Sequence, residues 1–446
     1  MNEIDKNAST TVPVVHIVTV GDELLAGDIV DSNKARMAAR ARSLGLDVRR
    51  ALTVRDRLHE IAGVLRKAAA QADVCLVSGG LGPTTDDLTA AAVADAARKQ
   101  IRRDPGAQRR LEEKFAAFGR PMTDNNLKQA DFPEGADILA NPVGTAEGLC
   151  CELPGARRCQ VFAMPGVPRE LDKMLDEQVV PRLRKRFDLH PVPRRIYRIL
   201  GHGESSVATR IAPIIEAARE RSPGLAAMIV HYRASMPQVS VILEAGRGRG
   251  GVYATPEELA SLDQELVDAL SPGIYGIGES GLVERVVASC LVSGVRLATA
   301  ESCTGGGLGA MITSVPGSSA AFRGGIISYD NQIKAQLLGV PSELLVTYGA
   351  VSEPVARAMA RGARDRLGSD LAVGITGLAG PGGGTAEKPV GTVHVAIVDG
   401  FETIHKRLQL RGNRAVIQRA SCQWALKLLW DRLVVRGAAS ITDRDV

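Results

Sequence analysis

One local pattern recurs along the N-terminal part of the chain: an apolar run, a glycine turn, then a helix-forming stretch. "VPVVHIVTV" runs into "GDELLAGDIVDSNKARMAARARSLG", "DVCLVSGG" into "LGPTTDDLTAAAVADAAR", and "CQVFAMPG" into "VPRELDKMLDE". A strand followed by a crossover helix brings the next strand back parallel to the first, so the repetition specifies a parallel sheet wrapped by helices. The composition agrees. Hydrophobic residues make up 45% of the chain, aromatics only 3%, and there are 47 glycines, the balance of an α/β protein and not of a β-sandwich. With 446 residues, two to four domains are expected.

Several function classes are disfavoured at this level. The net charge of +5 is mild for this length and falls short of a nucleic-acid-binding footprint. No uninterrupted apolar stretch is long enough to span a bilayer, and "MNEIDKNASTTVPVV" reads as a frayed polar tail, not a signal peptide. The seven cysteines form no C-x-x-C pair and no metal-type spacing, so reduced, mostly buried thiols of a cytosolic protein are expected.

The first domain is expected to end near "RKRFDLHPVPRR". A smaller unit from "IYRILGHGESSVATRIAPII" to "PQVSVILEAG" reads as strand, helix, strand, then the loop "RGRGG" and a helix from about Thr255. The third unit alternates again, through "VRLATAESC", "AAFRGGIISYD", "DLAVGITGLAGPGGG" and "VGTVHVAIVDG", to the long helix "NRAVIQRASCQWALKLLWDRLV".

Within that third unit, "ATAESCTGGGLGAMIT" puts two nucleophile candidates, Ser302 and Cys303, on a strand-to-glycine turn. Glycines such as Gly305 and Gly306 let backbone approach a ligand, and free N–H groups at a helix start can hold an anion or oxyanion. Capping of the helix by Ser302 or Thr304 explains the same residues equally well. The G-x-S-x-G, S-x-x-K, H-E-x-x-H and Walker A patterns are absent. If Ser302 is activated, Lys334 in "SYDNQIKAQLL" is a better base than His394 or His405, provided burial lowers its pKa. "GITGLAGPGGG", with Thr376 at its lip and Gly377 and Gly380 within it, reads as a nucleotide or phosphate cradle. Arg411 and Arg414 open the last helix, where arginine can fork onto a phosphate.

These residues carry a resemblance. "AESCTGG", "VPGSSAAFRGGIISYDNQIKAQLLGV", "VSEPVARAMARGAR", "GITGLAGPGGGTAEKPVGTVHVAI" and "RGNR" resemble the C-terminal domain of the CinA (competence/damage-inducible protein A) family, the nicotinamide mononucleotide (NMN) deamidases. The resemblance implies hydrolysis of NMN to nicotinic acid mononucleotide and ammonia by a serine–lysine mechanism without a cofactor. Ser302 would be the nucleophile and Lys334 the base, Tyr329 and Thr376 would assist, and Arg414 would bind substrate.

The first unit, through "TVGDELLAGDIVDSNK", "SGGLGPTTDDLT", "NPVGTAEGL" and "MPGVPREL", resembles the molybdopterin-binding-like domain of full-length members. That likeness implies ADP-ribose hydrolysis with a divalent metal (Mg, Mn or Co). Gly79, Gly80, Gly82 and Thr84 would cradle a pyrophosphate. Asp86 and Asp87 would supply hard oxygen ligands, and Asp22, Glu23 and Asn33 could complete the site. The stretch Ala146–Cys150, "AEGLC", departs from the family's A-P-G-F-like pattern. The middle unit looks like the family's KH-like insert, but its "GHGES" is not the G-x-x-G clamp on nucleic acid.

The expectation is therefore an α/β protein in three parts: a three-layer molybdopterin-binding-like domain over 12–182, a small KH-like α+β domain over 183–274, and an α/β deamidase domain over 275–436. It would be a cytoplasmic homodimer acting on NMN and ADP-ribose, with no membrane or nucleic-acid partner. The rival reading is a non-catalytic pterin- or nucleotide-binding adaptor in competence or DNA-damage responses.

Overall fold

A computed structural model describes residues 12–119, 121–246 and 253–441. Most of the N-terminal tail and the "RGRGG" loop thus lie outside the described residues. The chain forms two compact units divided between Val192 and Pro193, inside the proline and arginine cluster.

The N-terminal unit is built on a six-stranded sheet. Its strands are β1 (Val14–Val20), β2 (Asp47–Val54), β3 (Val74–Ser78), β4 (Asp137–Leu139), β5 (Gly148–Glu152) and β6 (Gln160–Met164), in the order β2-β1-β3-β6-β5-β4. The pairs β1–β2, β1–β3 and β3–β6 are parallel, as the repeats require, whereas β5 and β4 add antiparallel on one side. Every residue of β1 is buried, which requires cover on both faces. Val14, Val18 and Val20 pack with the helices α2 (Leu58–Gln71) and α3 (Thr89–Ala97). Val15 and Ile17 pack with α1 (Ser32–Ser43) and with Leu171 and Met174. Three layers result. Strand β2 carries "RRAL" exposed at the sheet edge, so it lacks the apolar run that announces β1 and β3.

In the second unit, the strands β7 (Arg194–Leu200), β8 (Ile229–Ser235), β9 (Gln238–Glu244) and β10 (Ile274–Ile277) form an antiparallel sheet, ordered β8-β9-β7-β10. The helix α4 (Glu204–Arg221) follows β7. The later helix starts as read, at Thr255, whose hydroxyl and the Glu258 carboxylate form a reciprocal capping box. Two divisions drawn from sequence cut through elements. The helix Val180–Arg186 runs past residue 182, and β10 spans residues 274 and 275 while pairing with β7.

The remaining strands are β11 (Leu297–Glu301), β12 (Phe322–Ile327), β13 (Leu371–Gly377), β14 (Thr392–Val398) and β15 (Thr403–Gln409). They make a sheet ordered β12-β11-β13-β14-β15, parallel at β12-β11-β13 and antiparallel beyond. One face packs on α5 (Leu282–Ser293), α6 (Gly307–Thr313) and α9 (Arg414–Val435) around Trp430. The other face packs on α7 (Asn331–Leu338) and α8 (Glu353–Leu367). Gly374 permits this second contact, since a Cβ there would stand 2.4 Å from the Ala356 carbonyl oxygen of α8.

Candidate active site

Strand β11 ends at Glu301, and the chain turns through Ser302, Cys303 and Thr304 into the glycines before α6. The sequence suggested an open helix start there, ready for an anion. The structure corrects this. The Glu301 carboxylate, 1% exposed, accepts hydrogen bonds from the N–H groups of Gly306 (3.1 Å), Leu308 (3.0 Å) and Gly309 (2.8 Å). The chain's own carboxylate occupies the positive end of the helix, where an anion is most stabilised. Glu301, and neither Ser302 nor Thr304, is the cap. Sequence reasoning passed over it because a glutamate at a strand end is ordinarily a surface residue.

Freed from capping, Ser302 is held by its backbone, its N–H donating to the Ile375 carbonyl of β13 at 3.0 Å. Its side chain lines a cleft of about 260 Å³. Cys303 borders the same cleft but packs into the core under α9, and burial pushes its thiol up to about 12. A thiol so placed stays protonated and unreactive near neutral pH.

The base candidate lines the same cleft. Lys334 sits in the first half of α7, 1% exposed, with Nζ donating to the carbonyls of Ser328 (2.8 Å) and Tyr329 (3.0 Å). No carboxylate forms an ion pair with it among the described residues. Burial lowers its pKa, opposed by the charge of Asp330. Asn331 also lines the cleft; its side chain carried no signal in the sequence.

Arg414, the first residue of α9, also lines the cleft. It donates to the Gly380 carbonyl and to the Tyr329 hydroxyl, both at 2.8 Å. Two of its five N–H groups are thereby committed, and the others remain for a ligand. Thr376 is buried on β13 and donates its hydroxyl to the Ala350 carbonyl at 2.8 Å, which anchors the Ala350–Val351 wall of the cleft. Gly377 and Gly380 line the floor. Gly305, Gly306 and Arg411 do not line the cleft; Gly306 serves Glu301, and the Arg411 side chain stands exposed.

In the N-terminal unit five of the nine selected residues line two small clefts at the C-terminal ends of β1 and β3, each about 110 Å³, whereas Gly79, Thr84, Asp86 and Asp22 line neither. Gly80, Gly82 and Asp87 line one, together with Lys128, Gln129 and Glu147. Glu23 and Asn33 line the other, beside Ser78 and Gly166. Gly79 and Gly80 turn through φ of 103° and 69°, which favours glycine. Asn33 donates to Ser78 Oγ and the Gly166 carbonyl. Asp87 accepts from the Thr84 N–H at 2.8 Å and from the Thr84 hydroxyl, so it closes its own turn. Asp86 is exposed, and Asp22 donates its N–H to Asp56. Burial, with the charges of Glu23, Asp22 and Asp86, holds Asp56 above the usual carboxylate range. Among the described residues no three His, Cys, Asp or Glu side chains converge to hold a metal ion. As placed, the donor set does not fit a preformed divalent site. Glu147, in the departing "AEGLC" stretch, is 5% exposed and paired bidentately with Arg110 at 2.8 and 2.7 Å.

All seven cysteines are buried and free. Among the described residues no helix is long and apolar enough to cross a membrane.

Comparison with known proteins matches both units. Residues 279–433 fit the family described as "CinA C-terminal domain", and residues 16–185 fit the "Probable molybdopterin binding domain". CinA-like proteins of Parasynechococcus marenigrum and Geobacter metallireducens are 40% and 41% identical to the chain. The first match covers 95% of this chain and 99% of the relative, and the second 94% and 98%. The crystal structure of the competence/damage inducible protein CihA from Agrobacterium tumefaciens is 40% identical. It covers 34% of this chain and 94% of its own, with a TM-score of 0.32. Family models match both ends, and the relatives run almost the whole length of the molecule; the chain belongs to the CinA family.

Proposed function

We propose that the second unit hydrolyses the carboxamide of NMN to nicotinic acid mononucleotide and ammonia. The observation that carries this reading is one cleft shared by Ser302 and a buried lysine with no ion-pair partner among the described residues. Desolvation favours the neutral amine, and a neutral amine can accept a proton. Lys334 takes the Ser302 proton as Oγ attacks the amide carbon, and it returns that proton to nitrogen as the C–N bond breaks. Ammonia leaves and an ester on Ser302 remains. Water then adds to that ester, Lys334 accepts its proton and passes it to Ser302 Oγ as the acyl C–O bond breaks, and the acid is released and ionises with the serine and the neutral amine restored. The oxyanion of either step cannot rest on the start of α6, which Glu301 fills. The free N–H groups of Arg414 suit the substrate phosphate. Ammonia release from NMN by the purified protein, compared with Ser302→Ala, tests the reading. Equal release by both would end it.

A second reading concerns the N-terminal unit, where the positive-φ turn at Gly79 and Gly80 borders the cleft at the end of β3. Such a turn supports a pyrophosphate cradle, and cleavage of ADP-ribose to AMP and ribose 5-phosphate is the activity proposed for it. No step is routed through a metal, because the carboxylates do not converge on one. AMP formation with and without added Mg, Mn or Co tests this. Tight binding of ADP-ribose or a pterin with no cleavage under any of them would make the unit a sensor.

A further inference from the structure

Behind the cleft wall lies a row of titratable groups that the proposed reaction does not use. His394 on β14 and His405 on β15 face each other with Nδ1 of the first 2.9 Å from Nε2 of the second, their rings stacked at 5.1 Å. On the far side of His405, Nδ1 lies 3.2 Å from Glu353 Oε2, in the first turn of α8. The imidazoles are enclosed, His394 being 8% exposed. We propose that Glu353, half exposed at the near end, and the enclosed His405 and His394 form a proton-ordering chain that positions the Ala350–Val351 wall of the cleft. The idea rests on the amide-hydrolysis reading of that cleft.

The carboxylate charge and the ring–ring hydrogen bond order the protons. Glu353 Oε2, an anionic acceptor 3.2 Å from His405 Nδ1, favours a proton on the nitrogen that faces it, so His405 is the Nδ1–H tautomer. Its Nε2 is then bare and must accept, so His394 is also Nδ1–H. One charge in the first turn of α8 thereby sets the tautomer of two rings on two strands.

The chain's route explains why this bears on the cleft. His394 stands directly opposite Thr376 in the β13–β14 register, and Thr376 holds the Ala350 carbonyl. Ala350 and Val351 line the cleft, and Ser352 and Glu353 follow at once, with Ser352 Oγ donating to the Gly349 carbonyl. The wall is therefore pinned at one end by Thr376 and at the other by Glu353 through the histidines. A second proton on the pair would set N–H against N–H across 2.9 Å and force a ring to turn. Desolvation resists that proton first. Arg407 and Lys388 on the His394 side and Arg357 on the His405 side resist it further, with Glu353 opposing them. Arg357 also donates to Glu353 at 2.8 Å and steadies the anchor.

The test uses full-length protein labelled with ¹⁵N at histidine, the two resonances assigned with His394→Gln and His405→Gln. Near neutral pH both rings should show Nδ1–H, the tautomer that free histidine disfavours. Glu353→Ala should release His405 to Nε2–H and shift the backbone amides of Ala350, Val351 and Thr376. It should also lower kcat for NMN on the order of tenfold while leaving KM within about twofold, as expected for lost positioning. Glu353→Gln, which keeps an acceptor oxygen, should restore the tautomers and most of kcat. Nε2–H on either ring of the wild-type protein overturns the proposal, as does a Glu353→Ala protein with unchanged amides and unchanged kcat. Ordered tautomers in a protein that never turns over NMN would overturn the amidase reading and leave the chain standing.

Discussion

Ser302 and Cys303 are sequence neighbours in one cleft, yet their surroundings assign them opposite chemistry. The thiol is enclosed by apolar side chains that hold it protonated, whereas the serine shares its cleft with a buried amine. Ser302→Ala should abolish NMN deamidation with the fold intact, and Cys303→Ala should keep most of it; inactivation by thiol-blocking reagents would reverse the assignment. The base gives a pH signature. Because burial lowers the Lys334 pKa, the active neutral form is reached below the ordinary lysine range, and kcat should rise with pH through that lowered value. Lys334→Arg cannot supply a neutral base, and a loss of roughly 10²–10⁴-fold in kcat is expected. An arginine variant with near-normal turnover would exclude the lysine. His394 carries a stability signature instead. Its pKa falls from 6.5 to about 4, chiefly by desolvation. The unfolded chain therefore binds more protons between those values, and the native state weakens as pH falls from 6.5 toward 4. The loss reaches about 3 kcal/mol at the acid end. Chemical denaturation at pH 7 and pH 4.5 should show a smaller difference for His394→Gln than for the wild type.

At the scale of elements, the legible parts of the fold were those with an apolar period. Strands β1, β3, β6, β11, β13 and β14 are runs of buried residues ending in glycine turns, and they were read from sequence. Strands β2, β8 and β15, edge strands with mostly exposed or half-buried side chains, were not, although β12, also an edge strand, was. The site shows the same division. Ser302, Lys334, Thr376 and Arg414 stood out as candidates, but capping or a surface position explained them as well, and their roles came from the resemblance to the CinA family. The roles of Glu301 and of the Glu353–His405–His394 row depend on which elements pack together, and no local pattern reports that. Glu301 is also the element-scale prediction. It ties the end of β11 to α6 through three charge-assisted bonds. Glu301→Gln removes the charge and presents a donor where only acceptors fit. A destabilisation of about 1–3 kcal/mol is expected, together with a loss of kcat as the Ser302 turn loosens. Unchanged thermal stability in Glu301→Gln would show that the cap is dispensable.

For the whole molecule, three regions were expected from sequence, and the chain condenses into two units. The reason lies in the core of the second. Leu200 on β7 and Tyr275 on β10 are buried in the same cluster as Val373, Val395 and Trp430 of the region that matches the CinA C-terminal domain. Lys427 of α9 donates to the Pro272 carbonyl at 2.9 Å, and a Cβ on Gly201 would stand 2.5 Å from the Trp424 ring. A shared core couples the folding of the regions that build it. Calorimetry of the full chain should therefore show two transitions, not three. Tyr275→Ala, a large-to-small change in that core costing about 3–5 kcal/mol, should lower the transition that nicotinic acid mononucleotide raises, although Tyr275 lies in the middle sheet. The transition of the N-terminal unit should stay in place under the same substitution and respond instead to ADP-ribose. A third transition, or a Tyr275→Ala shift confined to a step that the mononucleotide leaves untouched, would mean that the middle sheet folds as a domain of its own.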